Sequence, residues 1–218
     1  MTDMASIERF ILNNSFCRMG SVTSIELEEF PYVFCNTLCR DRSDKSLQKK
    51  LSELLVKNHE QTSFDDIKFI KEIITDAIPD FQRGNDKWTD ERQSSFIWNM
   101  LRGNRSGMLI IYTLKKDLSK KFVLDGYQRI TAILRFLFDQ NFFVKTPYGD
   151  FNSNMLREQF RGHIPCQAVV SVMRLDFDNH IDACDHYIDI NKGISHSDAD
   201  IQRAIDYKMS QLALVNKS

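Results

Sequence analysis

The stretch FVLDGYQRITAIL places Asp125, Gly126, Gln128 and Arg129 at the point where an apolar run stops and helical spacing begins. A strand that ends in Asp-Gly and passes straight into a helix leaves the first backbone N–H groups of that helix unpaired, with the positive end of the helix dipole behind them. An anion fits there. Arg129 in the first turn is suited to a bidentate grip on a phosphate, Gln128 to holding a water or hydroxyl, and Asp125 to binding a magnesium ion or accepting a proton. The same letters also read as pure architecture: Asp125 caps the helix, Gly126 supplies a special backbone angle, and Gln128 and Arg129 are solvated.

A second Gln-Arg pair, Gln82 and Arg83, occurs in IPDFQRGNDKWT. Two such pairs outside regular elements can converge on one triphosphate, each arginine balancing part of its charge. The cluster His180, Asp182, Cys184, Asp185 and His186 contains i, i+4 pairs with chelating side chains. Those pairs fall on different helix faces, so a solvated acidic helix explains them better than a metal site. The basic run Lys115, Lys116, Lys120 and Lys121 reads as a solvated hairpin loop, without the interleaved aromatics of a single-strand binder.

The elements that must position these residues follow from periodicity. Leu47, Leu51, Leu54 and Leu55 recur on one helix face, within a region of residues 1–76 that reads as a helical layer. Ser63 is placed to cap a helix through FIKEIITD, and Thr89 to cap one carrying Phe96, Ile97, Met100 and Leu101, which Gly103 stops. MLIIYTL and KFVL are β-prone and joined by the polar KKDLSK, as in a hairpin. Ile130, Ile133, Leu134, Leu137 and Phe138 continue at helical spacing after Asp-Gly. IPCQAVVSVMRLD is a further strand, and HIDACDHYIDI and DADIQRAIDYKMSQLALV are two helices, with Gly193 ending the first and Ser195 or Ser197 capping the second. The predicted class is α+β, a small mixed sheet with packed helices plus an N-terminal helical extension, divided at 1–76 and 77–218.

Composition excludes several classes. The chain has 218 residues, 29 basic and 30 acidic, for a net charge of −1, so nothing draws it globally to nucleic acid or an anionic membrane. No run approaches the roughly 20 apolar residues of a membrane helix, and MTDMASIERF lacks the pattern of a signal peptide, which together predict a cytoplasmic protein. Cys17, Cys35, Cys39, Cys166 and Cys184 form an odd set without a C-x-x-C pair, which reads as reduced, structural cysteine.

IPDFQRGNDKW, FVLDGYQRITAIL and YIDINKGISHSDADIQRA resemble, in that order, signature segments of the N-terminal domain of GmrSD-type restriction enzymes, part of the wider ParB and sulfiredoxin-like superfamily. The resemblance covers roughly residues 77–206. It implies a ParB/sulfiredoxin-like core in which Gln82 and Arg83 belong to the first motif, Asp125, Gly126, Gln128 and Arg129 to the second, and Asn191 and Gly193 to the third. Relatives use a nucleoside triphosphate in defence against foreign DNA, in DNA partitioning, or in phosphorylating small hydroxyl compounds. The implied cofactors are ATP or another NTP with Mg2+. Catalysis would rest on Asp125, which is also the metal ligand, with Gln128 and Arg129. Nucleotide binding would rest on Gln82, Arg83, Gly126, Tyr127, Asn191 and Gly193.

Tyr127 stands where the family usually has Gln, which replaces a polar contact or turns it into stacking on a base or sugar. The chain also ends soon after the third motif, without a His-Asn-His nuclease domain, so DNA cleavage by this chain alone is not expected. The sequence leaves open an NTP hydrolase, a kinase of a hydroxyl on a modified base or small molecule, and a non-catalytic adaptor. DNA, and a protein docking on residues 1–76, are further partners it leaves open. By analogy with small chains of this type it suits a phage protein acting in the bacterial host cytoplasm.

Overall fold

The structure, a computed structural model, describes residues 21–39, 44–57, 59–82, 88–104, 107–164, 168–192 and 198–215. In chain order these form β1 (Val22–Glu26), α1 (Phe30–Leu38), α2 (Lys45–Leu55), a 3-10 turn (His59–Gln61), α3 (Phe64–Asp76), α4 (Asp90–Leu101), β2 (Leu109–Leu114), β3 (Asp117–Asp125), α5 (Tyr127–Phe138), α6 (Ser153–Gln159), β4 (Val169–Phe177), α7 (His180–Lys192) and α8 (Asp198–Val215). The fold is α+β, as its mixture of strand and helix signals predicts.

The four strands lie in the order β1-β4-β2-β3. β4 runs parallel to β2 and antiparallel to β1, while β2 and β3 form an antiparallel hairpin. The central β2, LIIYTL, is buried on both faces, which is why it reads as a continuous apolar run rather than an alternation. Leu109, Ile111, Val123, Val170 and Val172 face one side, where α1 to α5 supply the larger core around Phe34, Ile97 and Ile133. Ile110, Tyr112, Leu124, Leu175 and Phe177 face the other, against Ala183, Cys184, Tyr187 and Ile188 of α7 and Ala204 of α8.

Caps fall where the letters place them. Ser63 Oγ accepts from the Asp66 amide, and Thr89 Oγ1 from that of Arg92. Gly103 follows α4 with φ +78. Three expectations need correction. Val22–Glu26, within the stretch read as helical, is an edge strand whose single buried residue, Ile25, gives too short a pattern to announce itself. Residues 117–120, read as hairpin loop, are the exposed outer half of β3, so the connection shrinks to Lys115 and Lys116. Leu55 is 41% exposed and does not join the stripe of Leu51 and Leu54.

Candidate functional site

β3 is an edge strand, and close to its end the ladder slips: Ile111 pairs with Val123 but Ile110 pairs with Asp125, leaving Leu124 as an extra residue. Such a bulge re-aims the side chains that follow it and frees backbone groups from the ladder. Residues 77–82 satisfy them. The Val123 amide donates to the Ala77 carbonyl at 2.8 Å, and Gln82 Nε2 donates to the carbonyls of Val123 (3.0 Å) and Leu124 (2.6 Å). Gln82 is only 8% exposed, so its amide is aimed into the strand end.

Beyond the bulge the chain reverses at Gly126, whose φ of +104 is the left-handed conformation that glycine adopts without strain. No side chain caps α5 there, whereas α2, α3, α4 and α6 each have one in Asp44, Ser63, Thr89 and Asn152. The Ile130 amide bonds to the Gly126 carbonyl, and helix geometry gives the amides before it no partner within the helix.

Arg129 lies across this open end. Its Nη1 donates to Asp125 Oδ2 at 3.1 Å and to the Met108 carbonyl at 3.2 Å. Among the described residues its Nε and Nη2 have no hydrogen-bonding partner. Two glycines make room for the guanidinium. A Cβ on Gly107, which has φ +88, would lie 3.1 Å from Cζ and Nε, and one on Gly126 would lie 3.3 Å from Nη1 and 2.4 Å from Leu109 Cδ2. Gly107 and Met108 are the site residues that the sequence reading missed. Their one local signal is a glycine directly ahead of a β-prone run.

Asp125, Gly126, Gln128 and Arg129 therefore share one turn, with Gln128 half-buried on the first turn of α5. Gln82 adjoins it from behind, through the backbone. Tyr127, next to the turn, also lines a groove of about 600 Å3 between α3 and α5 with Phe64, Ile67, Lys71, Thr131 and Phe138. Phe81 reaches both α7 and α8, its ring 5.5 Å from that of Tyr187 and 5.4 Å from that of Tyr207. Asn191 is buried at the end of α7, its Nδ2 donating to the Tyr187 carbonyl at 2.7 Å. Arg83 and Gly193 lie outside the described residues, as do Ser195 and Ser197.

The other candidates are absorbed by packing. His180 Nδ1 lies 2.9 Å from Tyr112 Oη in a hydrogen bond whose donor is set by the imidazole tautomer, and burial lowers the His180 pKa while raising that of Tyr112. Cys184 is buried with Sγ 3.2 Å from the Ala204 carbonyl, its pKa pushed up to about 12 by burial. Among the described residues no three His, Cys, Asp or Glu side chains are grouped to hold a metal. The basic run does not form a single face: Lys115 pairs with Asp178 at 2.9 Å and Lys121 is 5% exposed. No described helix is long and apolar enough to cross a membrane.

Residues 51–214 match the family model of the GmrSD restriction endonuclease N-terminal domain. The chain belongs to this family. Comparison with curated proteins and with solved structures gave no match. The GmrSD match begins within α2 and runs through α8, so it takes in the Asp125–Arg129 turn, the Gln82 brace and the α7–α8 pair together. Its family is a restriction family, which points the chain to a restriction-related role in DNA defence.

Proposed function

We propose that this domain binds a nucleoside triphosphate at the start of α5 and catalyses phosphoryl transfer in a DNA defence or modification process. The observation that carries this is Arg129, held by Nη1 alone beside an uncapped helix start, with no further hydrogen-bonding partner for its guanidinium among the described residues. Helix-start amides, helix dipole and guanidinium fork all favour the same ligand chemistry, a phosphate. Arg129 would balance charge developing on the transferred group, and Gln128 would orient the attacking hydroxyl or water. Arg83, Tyr127, Asn191 and Gly193 would complete the nucleotide contacts in a ParB/sulfiredoxin-like core spanning 77–218.

Magnesium bound through one carboxylate and the phosphates themselves is the usual arrangement in such sites. Asp125 offers one carboxylate, and the described residues build no all-protein cage, so the donor set fits an ion that arrives with the nucleotide. When bound, the ion would supply charge neutralisation on the phosphates. Asp125 would otherwise serve as the proton acceptor. Residues 1–76 are proposed as a docking layer for a protein or DNA partner, and the cytoplasm as the compartment.

The acceptor class is read by incubating the protein with each γ-labelled NTP and magnesium, with and without DNA. Free phosphate identifies a hydrolase, and label on a second molecule identifies a kinase of a modified base or small hydroxyl compound. A specific observation favours a non-catalytic adaptor as the second reading: the Asp125 carboxylate is already engaged by Arg129. That reading predicts no label transfer under any of these conditions.

A further inference from the structure

The two tryptophans of the chain are each followed four residues later by an arginine, Trp88 by Arg92 and Trp98 by Arg102. In the structure both pairs close into cation–π contacts along α4, with the Arg92 guanidinium 4.9 Å from the Trp88 ring centre and that of Arg102 5.7 Å from the Trp98 ring centre. The acidic residues at the start of the helix are occupied elsewhere. Asp90 accepts from Arg135, and Glu91 lies 4.0 Å from Lys145 Nζ. Arg92 and Arg102 have no carboxylate partner among the described residues, so within them both guanidinium groups of this face are held only by their tryptophans.

An aromatic platform adjoins them. Tyr148 is 90% exposed, the most exposed aromatic ring among the described residues, and stands edge-on to Trp98 with ring centres 6.5 Å apart. Its loop is held rather than loose: Thr146 Oγ1 accepts from the Tyr148 amide at 3.1 Å and donates to the Gly149 carbonyl at 2.7 Å. A ring held out in water gains nothing from folding, and phosphates alone do not reward it. Unstacked bases do, because every base offers a π-face. The two arginines are ten positions apart, about 15 Å at the helical rise, enough to follow several backbone phosphates.

We infer that the exposed side of α4 with Arg92 and Arg102, together with Tyr148, binds single-stranded DNA, the arginines neutralising phosphates while bases stack on Tyr148, which the half-buried Trp98 backs from the core side. The inference uses no residue of the Asp125–Arg129 turn and is tested without nucleotide, so either proposal can fail while the other stands. The test is fluorescence anisotropy of a labelled strand of about 15 nucleotides, titrated with the full chain at about 50 and 200 mM salt. The R92Q/R102Q pair is expected to bind at least tenfold more weakly and to flatten the salt dependence by about 1.4 in log–log slope, the value for two lost phosphate contacts on a single strand. Tyr148→Ala, with its ring outside the core, is expected to keep the wild-type melting temperature and lose roughly five- to hundredfold in affinity. No strand binding by the wild type at low salt, unchanged affinity in both variants, or tighter binding of the matching duplex overturns the inference.

Discussion

Two helices of this fold begin in opposite ways. At α3 the end is sealed by side chains. The Ser63 hydroxyl accepts from the Asp66 amide, and Asp66 Oδ2 accepts from the Ser63 amide at 2.9 Å, the Ser63 hydroxyl at 2.7 Å and Lys57 Nζ at 2.6 Å. At α5 the corresponding positions are Gly126 and Arg129, which offer no acceptor and add a positive charge. A sealed start converts the helix dipole into fold stability, whereas an open one forgoes that and keeps the same potential for a ligand. The open end is also where the structure makes costly allowances, in a bulge, two glycines with positive φ, and a buried glutamine to repair the strand.

The largest effect that sharpens this contrast is expected from Arg129→Ala. Turnover should fall at least about a thousandfold, while loss of the part-exposed Asp125 pair should cost no more than about 1 kcal/mol of stability. Label transfer and a melting curve on the same preparation read both. Gly126→Ala should destabilise by roughly 2–4 kcal/mol, since it combines left-handed strain with a Cβ forced against Leu109. Gly149→Ala is its control. That glycine also has a positive φ, of +119, but nothing lies within 4 Å of its Cβ position, so only the strain of about 1–2 kcal/mol should appear in urea denaturation.

The sealed end should announce itself through pH. Burial alone would raise the Asp66 pKa, but the hydrogen bonds from Lys57 and Ser63 bring it down to about 2 from an ordinary value of 3.8. A carboxylate depressed in the fold contributes stability that is fully present above the unfolded value. It is lost as pH falls through the folded one, here between about 4 and 2. The urea midpoint should therefore drop across that window by the equivalent of about 2 kcal/mol, and Asp66→Asn should remove this component. Ser63→Ala, which leaves the Lys57 pair intact, should cost about 1 kcal/mol and leave turnover unchanged.

Much of the framework was readable because it repeats locally. Leu51 and Leu54 on α2, the Ser63 and Thr89 caps, and the apolar β2 each carry their signal within a few residues. β1 did not, since one buried residue in five has no period. The outer half of β3 did not either, because an exposed edge strand is as polar as a loop. At the site, the meeting of the strand end with the first turn of α5 was legible in Asp125, Gly126 and Arg129. The orientation of Gln82 was not, because its partners are carbonyls released by a bulge some 40 residues further on. Gly107 was silent for the same reason, its purpose being set by a guanidinium from another element. The exposure of Tyr148 beside the half-buried Trp98 was not legible, because it joins a loop to a helix some 50 residues earlier.

The most direct measurement is calorimetric titration of MgATP, and of the other nucleoside triphosphates in turn, into the wild-type chain and Arg129→Ala. The open start of α5 predicts saturable binding of at least one of them by the wild type, weakened at least tenfold in the variant while its melting temperature holds. Equal affinity in both proteins, or no heat from any nucleotide, would contradict the assignment of this turn as a phosphate site.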